Sequence, residues 1–103
     1  MHPLISERRR ELDQLCARFR VRKLAVFGSA ARPDSGSEPR DFDLLVEFQT
    51  MTPVEHADSY FGLLEELEKL LRAPVDLVEP GAIRNPIFQR AVEATQVSLY
   101  AAA

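Results

Sequence analysis

Residues 23–48 read KLAVFGSAARPDSGSEPRDFDLLVEF, and the fold turns on how this stretch is divided. Lys23–Phe27 is a short apolar run of the kind that forms a buried strand, and Gly28 stops it. Residues 31–40 (ARPDSGSEPR) are dense in Pro, Gly and Ser and read as a loop. Asp41–Phe48 then alternates as a half-buried strand. Phe42, Leu44, Val46 and Phe48 share one face, while Asp41, Asp43, Leu45 and Glu47 share the other.

Working outward, Leu12, Leu15, Cys16 and Phe19 form one apolar stripe of a helix expected over about residues 6–20, with Ser6 as its N-cap. Thr52-Pro53-Val54-Glu55 has the spacing of a capping box with Pro at the first helical position. Tyr60, Leu64, Leu67 and Leu71 continue it as a helix over roughly residues 53–72. Val75–Val78 reads as a third strand, and Pro80-Gly81 closes it. Asn85-Pro86 opens a last helix with Phe88, Ala91, Val92 and Thr95 on one side, and Val97–Tyr100 is a candidate final strand. The order α-β-β-α-β-α-(β) predicts an α/β (α+β) domain, a small mixed sheet with helices packed on it.

The 103 residues suit one domain spanning 1–103. At 46% hydrophobic and 28% charged, the composition is that of a globular chain and not of a disordered one. No apolar run approaches the roughly 20 residues of a membrane span, and the N-terminus, MHPLISERRRELD, lacks the apolar stretch of a secretory signal. The lone Cys16 excludes an internal disulfide framework, so a cytoplasmic location is expected.

A net charge of −3 argues against strong direct nucleic-acid binding. The charge is nonetheless divided: residues 1–40 carry nine Lys/Arg against five Asp/Glu, and residues 41–103 carry four against eleven. Eleven of the thirteen bases are Arg, whose planar fork suits phosphate. A basic half and an acidic half are thus available to meet at one site.

Three features carry the chemistry. Gly28-Ser29 ends the first strand and is expected to open a helical turn, where glycine lets a backbone approach a phosphate and the following amides and hydroxyl donate to it. Asp41 and Asp43 sit at i and i+2, so their carboxylates leave one face of the strand. Such close carboxylates repel unless a cation intervenes, and hard oxygen ligands suit Mg²⁺ or Mn²⁺. Asp76 lies between Val75 and Leu77, in a strand free to pair beside the second and bring a third carboxylate to the same place. Three carboxylates, two divalent ions and a phosphate-binding turn make the apparatus of in-line phosphoryl or nucleotidyl transfer. His2 and His56 are isolated and suggest no zinc.

On VFGSAARPDSGSEPRDFDLLVEF and APVDLVEPGAIRNPIFQRAVEATQVSLY the chain resembles the minimal nucleotidyltransferases of the DNA polymerase beta superfamily. The resemblance implies the nucleotidyltransferase fold, a Gly28–Ser29 pair contacting the triphosphate of ATP, and Mg²⁺ held by Asp41, Asp43 and Asp76. The Gly-Ser-x-Ala-Arg opening matches through Ala31 and Arg32, making Arg32 a candidate phosphate contact. Eleven residues separate Ser29 from Asp41 where the family pattern has ten, Ala30 stands where Arg is common, and Arg40 where Ser is frequent.

Many members of that family are encoded beside a HEPN-domain toxin as its antitoxin, and some transfer AMP from ATP to one of its tyrosines. The resemblance therefore implies an adenylyltransferase acting on a HEPN partner within a hetero-oligomer. The small size agrees, since such a chain has little room for a separate acceptor pocket. The competing expectation is a non-catalytic antitoxin that neutralises its partner by binding, with a vestigial nucleotide site.

Overall fold

The computed structural model describes residues 1–32 and 41–102, so Arg40 and most of the 31–40 loop lie outside the described residues. The first helical region differs from its expectation. It starts earlier, as α1 (Pro3–Glu7), and resumes as α2 (Arg9–Arg18) after a break at Arg8. The cap is His2, not Ser6: its Nδ1 accepts from Leu4 N at 3.1 Å and Pro3 takes the first helical position. His2 N also donates to Ala30 O at 2.8 Å, which tethers the first turn. Ile5 and Leu12 are both fully buried, and Arg8 between them absorbs the change of direction.

The sheet forms as its apolar alternation requires. β1 (Val21–Phe27), β2 (Phe42–Phe48), β3 (Val75–Val78) and β4 (Val97–Ala101) lie in the order β3-β2-β1-β4. β1 is antiparallel to β2 and β4, and β2 is parallel to β3. A parallel pair needs a crossover, and α3 (Pro53–Leu71) supplies it. The expected capping box opens α3: Glu55 N donates to Thr52 Oγ1 at 3.2 Å and Thr52 N to Glu55 Oε1 at 2.9 Å. Arg72 ends it in the left-handed region (φ 55°).

One sheet face packs against α2 and α3. Leu24 and Val26 of β1, Phe42, Leu44 and Val46 of β2, and Leu99 of β4 meet Leu12, Cys16, Leu63, Leu67 and Leu71, all buried. The alternate positions form the opposite face. There Ala25, Leu45 and Ser98 bound a cleft of about 490 Å³ beneath α4 (Pro86–Thr95), which contributes Gln89, Val92 and Glu93. α4 is thinly attached, with Val92 its one buried side chain among the described residues and Phe88 edge-on to Phe27. None of the described helices is long and apolar enough to cross a membrane.

Candidate active site

β1 and β2 bring the Gly-Ser turn against the aspartates. Phe27, the last residue of β1, is paired with Asp43 of β2, and Asp43 is paired in register with Asp76 of parallel β3. Asp43 and Asp76 each alternate with buried apolar neighbours, so both leave the face opposite the helical core. Asp41 lies just before β2 and is exposed, as is Asp76, while Asp43 is half-buried.

The chain leaves β1 through a 3-10 turn, Gly28–Ala31. Gly28 has φ +69°, and a Cβ on it would lie 2.6 Å from Asp43 Oδ2. Both facts require glycine: the backbone sits in the left-handed region and directly against a carboxylate. Ala30 and Ala31 are buried, which anchors the turn, whereas Ser29 is half-buried and Arg32, just beyond it, is exposed. The turn is tied at both ends, by Gly28 N donating to Thr95 Oγ1 at 3.3 Å and by Ala30 O accepting from His2 N.

Burial, followed by the charges of Asp76 and then Asp41, raises the Asp43 carboxyl above its ordinary range. Asp43 thus feels the charge of each of the other two carboxylates. Among the described residues no group of three His, Cys, Asp or Glu is gathered tightly enough to cage a metal ion. Asp41 and Asp76 are both exposed, so their carboxylates are not gathered around Asp43. The donor chemistry fits Mg²⁺ or Mn²⁺: hard carboxylate oxygens, no thiolate or imidazole, and like charges that a divalent cation would relieve.

Other singled-out residues have structural partners. Glu47 ion-pairs with Arg22. His56 Nε2 lies 2.5 Å from Glu79 Oε1, joining α3 to the segment after β3. Tyr60 packs as expected and its hydroxyl donates to Leu77 O at 2.6 Å, but its neighbour Phe61 is 65% exposed. Arg9 donates to Leu99 O of edge strand β4 at 3.2 Å. Sequence reasoning missed Thr95, which it assigned only to one side of the last helix.

Comparison with known proteins agrees with this geometry. The nucleotidyltransferase domain family matches residues 8–98. Protein adenylyltransferase MntA of Thermococcus cleftensis is 33% identical over 84 residues, covering 82% of this chain and 78% of its own. A solved structure provisionally described as a minimal nucleotidyltransferase is 34% identical and superposes with a TM-score of 0.62, over 89% of each chain. A solved complex, described as a tri-AMPylated Shewanella oneidensis HEPN toxin with an MNT antitoxin, contains a chain of the same fold. That chain is 17% identical, with a TM-score of 0.62 over 95% of this chain and 73% of its own. With a family match spanning most of its length and the Gly-Ser turn set against in-register aspartates, the chain belongs to the nucleotidyltransferase domain family.

Proposed function

We propose that this nucleotidyltransferase is a protein adenylyltransferase that transfers AMP from ATP to a hydroxyl, a tyrosine in the first instance, of a HEPN-type toxin, and so acts as its antitoxin. The reading treats residues 1–103 as one catalytic domain working in the cytoplasm and completed by its partner. One observation carries it. Asp43 stands between Asp76 on one side and the Phe27–Gly28 turn on the other, with Gly28 close enough that any side chain would strike the carboxylate.

In this reading Gly28 leaves room for the phosphates, and the Ser29 hydroxyl and the turn amides that follow Gly28 donate to them. Exposed Arg32 adds a bidentate donor at the outer end of the turn. Asp41, Asp43 and Asp76 would hold Mg²⁺, two ions where both sites fill, which supplies charge neutralisation for the triphosphate and the pyrophosphate leaving group. The acceptor oxygen attacks the α-phosphorus, the bond to pyrophosphate breaks, and Asp76 draws off the acceptor's proton. The names of the Thermococcus and Shewanella proteins support the adenylyl group and the HEPN acceptor.

Incubation with α-labelled ATP, Mg²⁺ and the product of the neighbouring gene as the candidate partner tests the reading. Label is expected on the partner. Tight binding of the partner without label would overturn the enzymatic reading in favour of neutralisation by contact.

A further inference from the structure

The last residue of α4 is hydrogen-bonded to the turn that the proposed function assigns to phosphate. Thr95 Oγ1 donates to Ala91 O, one turn back in its own helix, at 2.9 Å, and accepts from Gly28 N at 3.3 Å. A hydroxyl has one proton and two lone pairs. With the proton committed to Ala91, the oxygen faces Gly28 as an acceptor only, and the bond back into the helix holds the side chain in that rotamer. Few other contacts join α4 to the turn. Val92 is its buried anchor and Phe88 meets Phe27 edge-on, with ring centroids 5.9 Å apart.

We infer that Thr95 is a positioning residue for nucleotide binding: it takes up the Gly28 amide, fixes the Phe27–Gly28 peptide, and so orients the Ser29 side of the turn toward the phosphates. Gly28 then serves as space and not as a donor. The donors that remain are the Ser29 hydroxyl and the amides after Gly28. With His2 N holding Ala30 O at the far end at 2.8 Å, the turn is set before ligand arrives. A turn fixed in advance does not have to be ordered at the moment of binding. The inference rests on the nucleotidyltransferase reading of the Gly28–Ser29 turn.

Thr95→Val keeps the shape of the side chain and removes the acceptor, Thr95→Ala does so without β-branching, and Thr95→Ser restores the hydroxyl. Ile87→Ala is the control, since Ile87 is exposed on α4 and its truncation leaves both the Val92 anchor and the Thr95 hydroxyl in place. Calorimetric titration of the intact chain with ATP and Mg²⁺ is the first readout, and hydrogen exchange of the Gly28 amide by NMR is the second. Loss of one net hydrogen bond should raise the Kd for ATP about three- to tenfold in the Val and Ala variants. Gly28 exchange should accelerate, and Ser should return both to within about twofold of wild type.

An unchanged Kd in the folded Val and Ala variants overturns the inference. So does failure of Ser to rescue, or an equal rise in Ile87→Ala. A wild-type chain that binds no ATP overturns the nucleotide reading and this inference together, whereas wild-type binding with no loss in Thr95→Val or Thr95→Ala overturns this inference alone.

Discussion

A Cβ on Gly28 would lie 2.6 Å from Oδ2 of Asp43, in a residue whose φ is already +69°. Gly28→Ala therefore meets two penalties. The left-handed backbone costs about 1–2 kcal/mol for an L side chain, and the Asp43 carboxylate must swing away. Melting should fall by roughly 5–15 °C in a chain of this size, and ATP binding should weaken with it. Gly81 has nothing within 4 Å of its Cβ position, so Gly81→Ala should shift stability by less than about 0.5 kcal/mol. Parallel thermal melts check the contrast, and equal melts for both variants would mean that the Gly28 backbone is not held as described.

The carboxylates make a prediction of opposite sign for stability and activity. Burial and the charges of Asp76 and Asp41 already disfavour ionised Asp43. Replacing Asp41 and Asp43 together with Asn removes like charges, so in EDTA the variant should melt at or slightly above the wild-type temperature. Metal-dependent transfer should fall at least about a hundredfold, as when an electrostatic clamp on a transferring group is removed. Retained transfer in the double variant would show that these residues are not the metal ligands.

Much of the fold was written in local patterns. The Thr52–Glu55 box, the alternation Phe42-Leu44-Val46 and the apolar Val75-Leu77 flanks of Asp76 each state their element within a few residues, and each formed as read. The helix ends at Arg20 and Arg72 are less legible, because arginine takes the left-handed position that glycine usually marks. The early start of the first helix is anchored by a backbone bond from His2 to Ala30, which no periodicity in residues 3–18 encodes. The Thr95–Gly28 contact joins residues 67 apart and exists only because β4 pairs with β1, bringing the end of α4 over the turn. The Gly-Ser pair and the aspartates could be read in advance because their chemistry is local. What holds them is tertiary.

The capping box should be separable from the site. Thr52→Val removes the acceptor for Glu55 N and should cost about 1 kcal/mol, the usual value of an N-cap, with ATP binding unchanged. Hydrogen bonds from the Thr52 backbone and side chain lower the Glu55 carboxyl below its ordinary value of 4.5. A carboxyl depressed in the folded state favours folding above its unfolded value and loses that contribution as pH falls through the folded one. The wild-type advantage over Glu55→Gln should therefore be present at neutral pH and shrink below about pH 4.5. Urea titrations of both chains at pH 7 and pH 4 measure this, and a difference that does not change with pH would remove the cap from the explanation.

Cys16 provides a probe of whether the helical layer is closed. It is fully buried on α2 beside Leu12, and burial, assisted by the charge of Asp13, pushes its thiol up to about 12. The thiolate is the reactive form, so at pH 8 the folded chain should resist a disulfide reagent and be labelled only as fast as it unfolds. The unfolded chain ionises this thiol from its ordinary value of 9.0 while the folded chain holds the proton until about 12. Stability from this group is thus intact below pH 9 and declines as pH rises across that interval, a decline that Cys16→Ala should remove. Cys16→Ser should be less stable than Cys16→Ala, because it adds a hydroxyl in an apolar setting. Rapid labelling of native protein at pH 8, with no change in melting, would mean that α2 opens locally and does not close this side of the sheet.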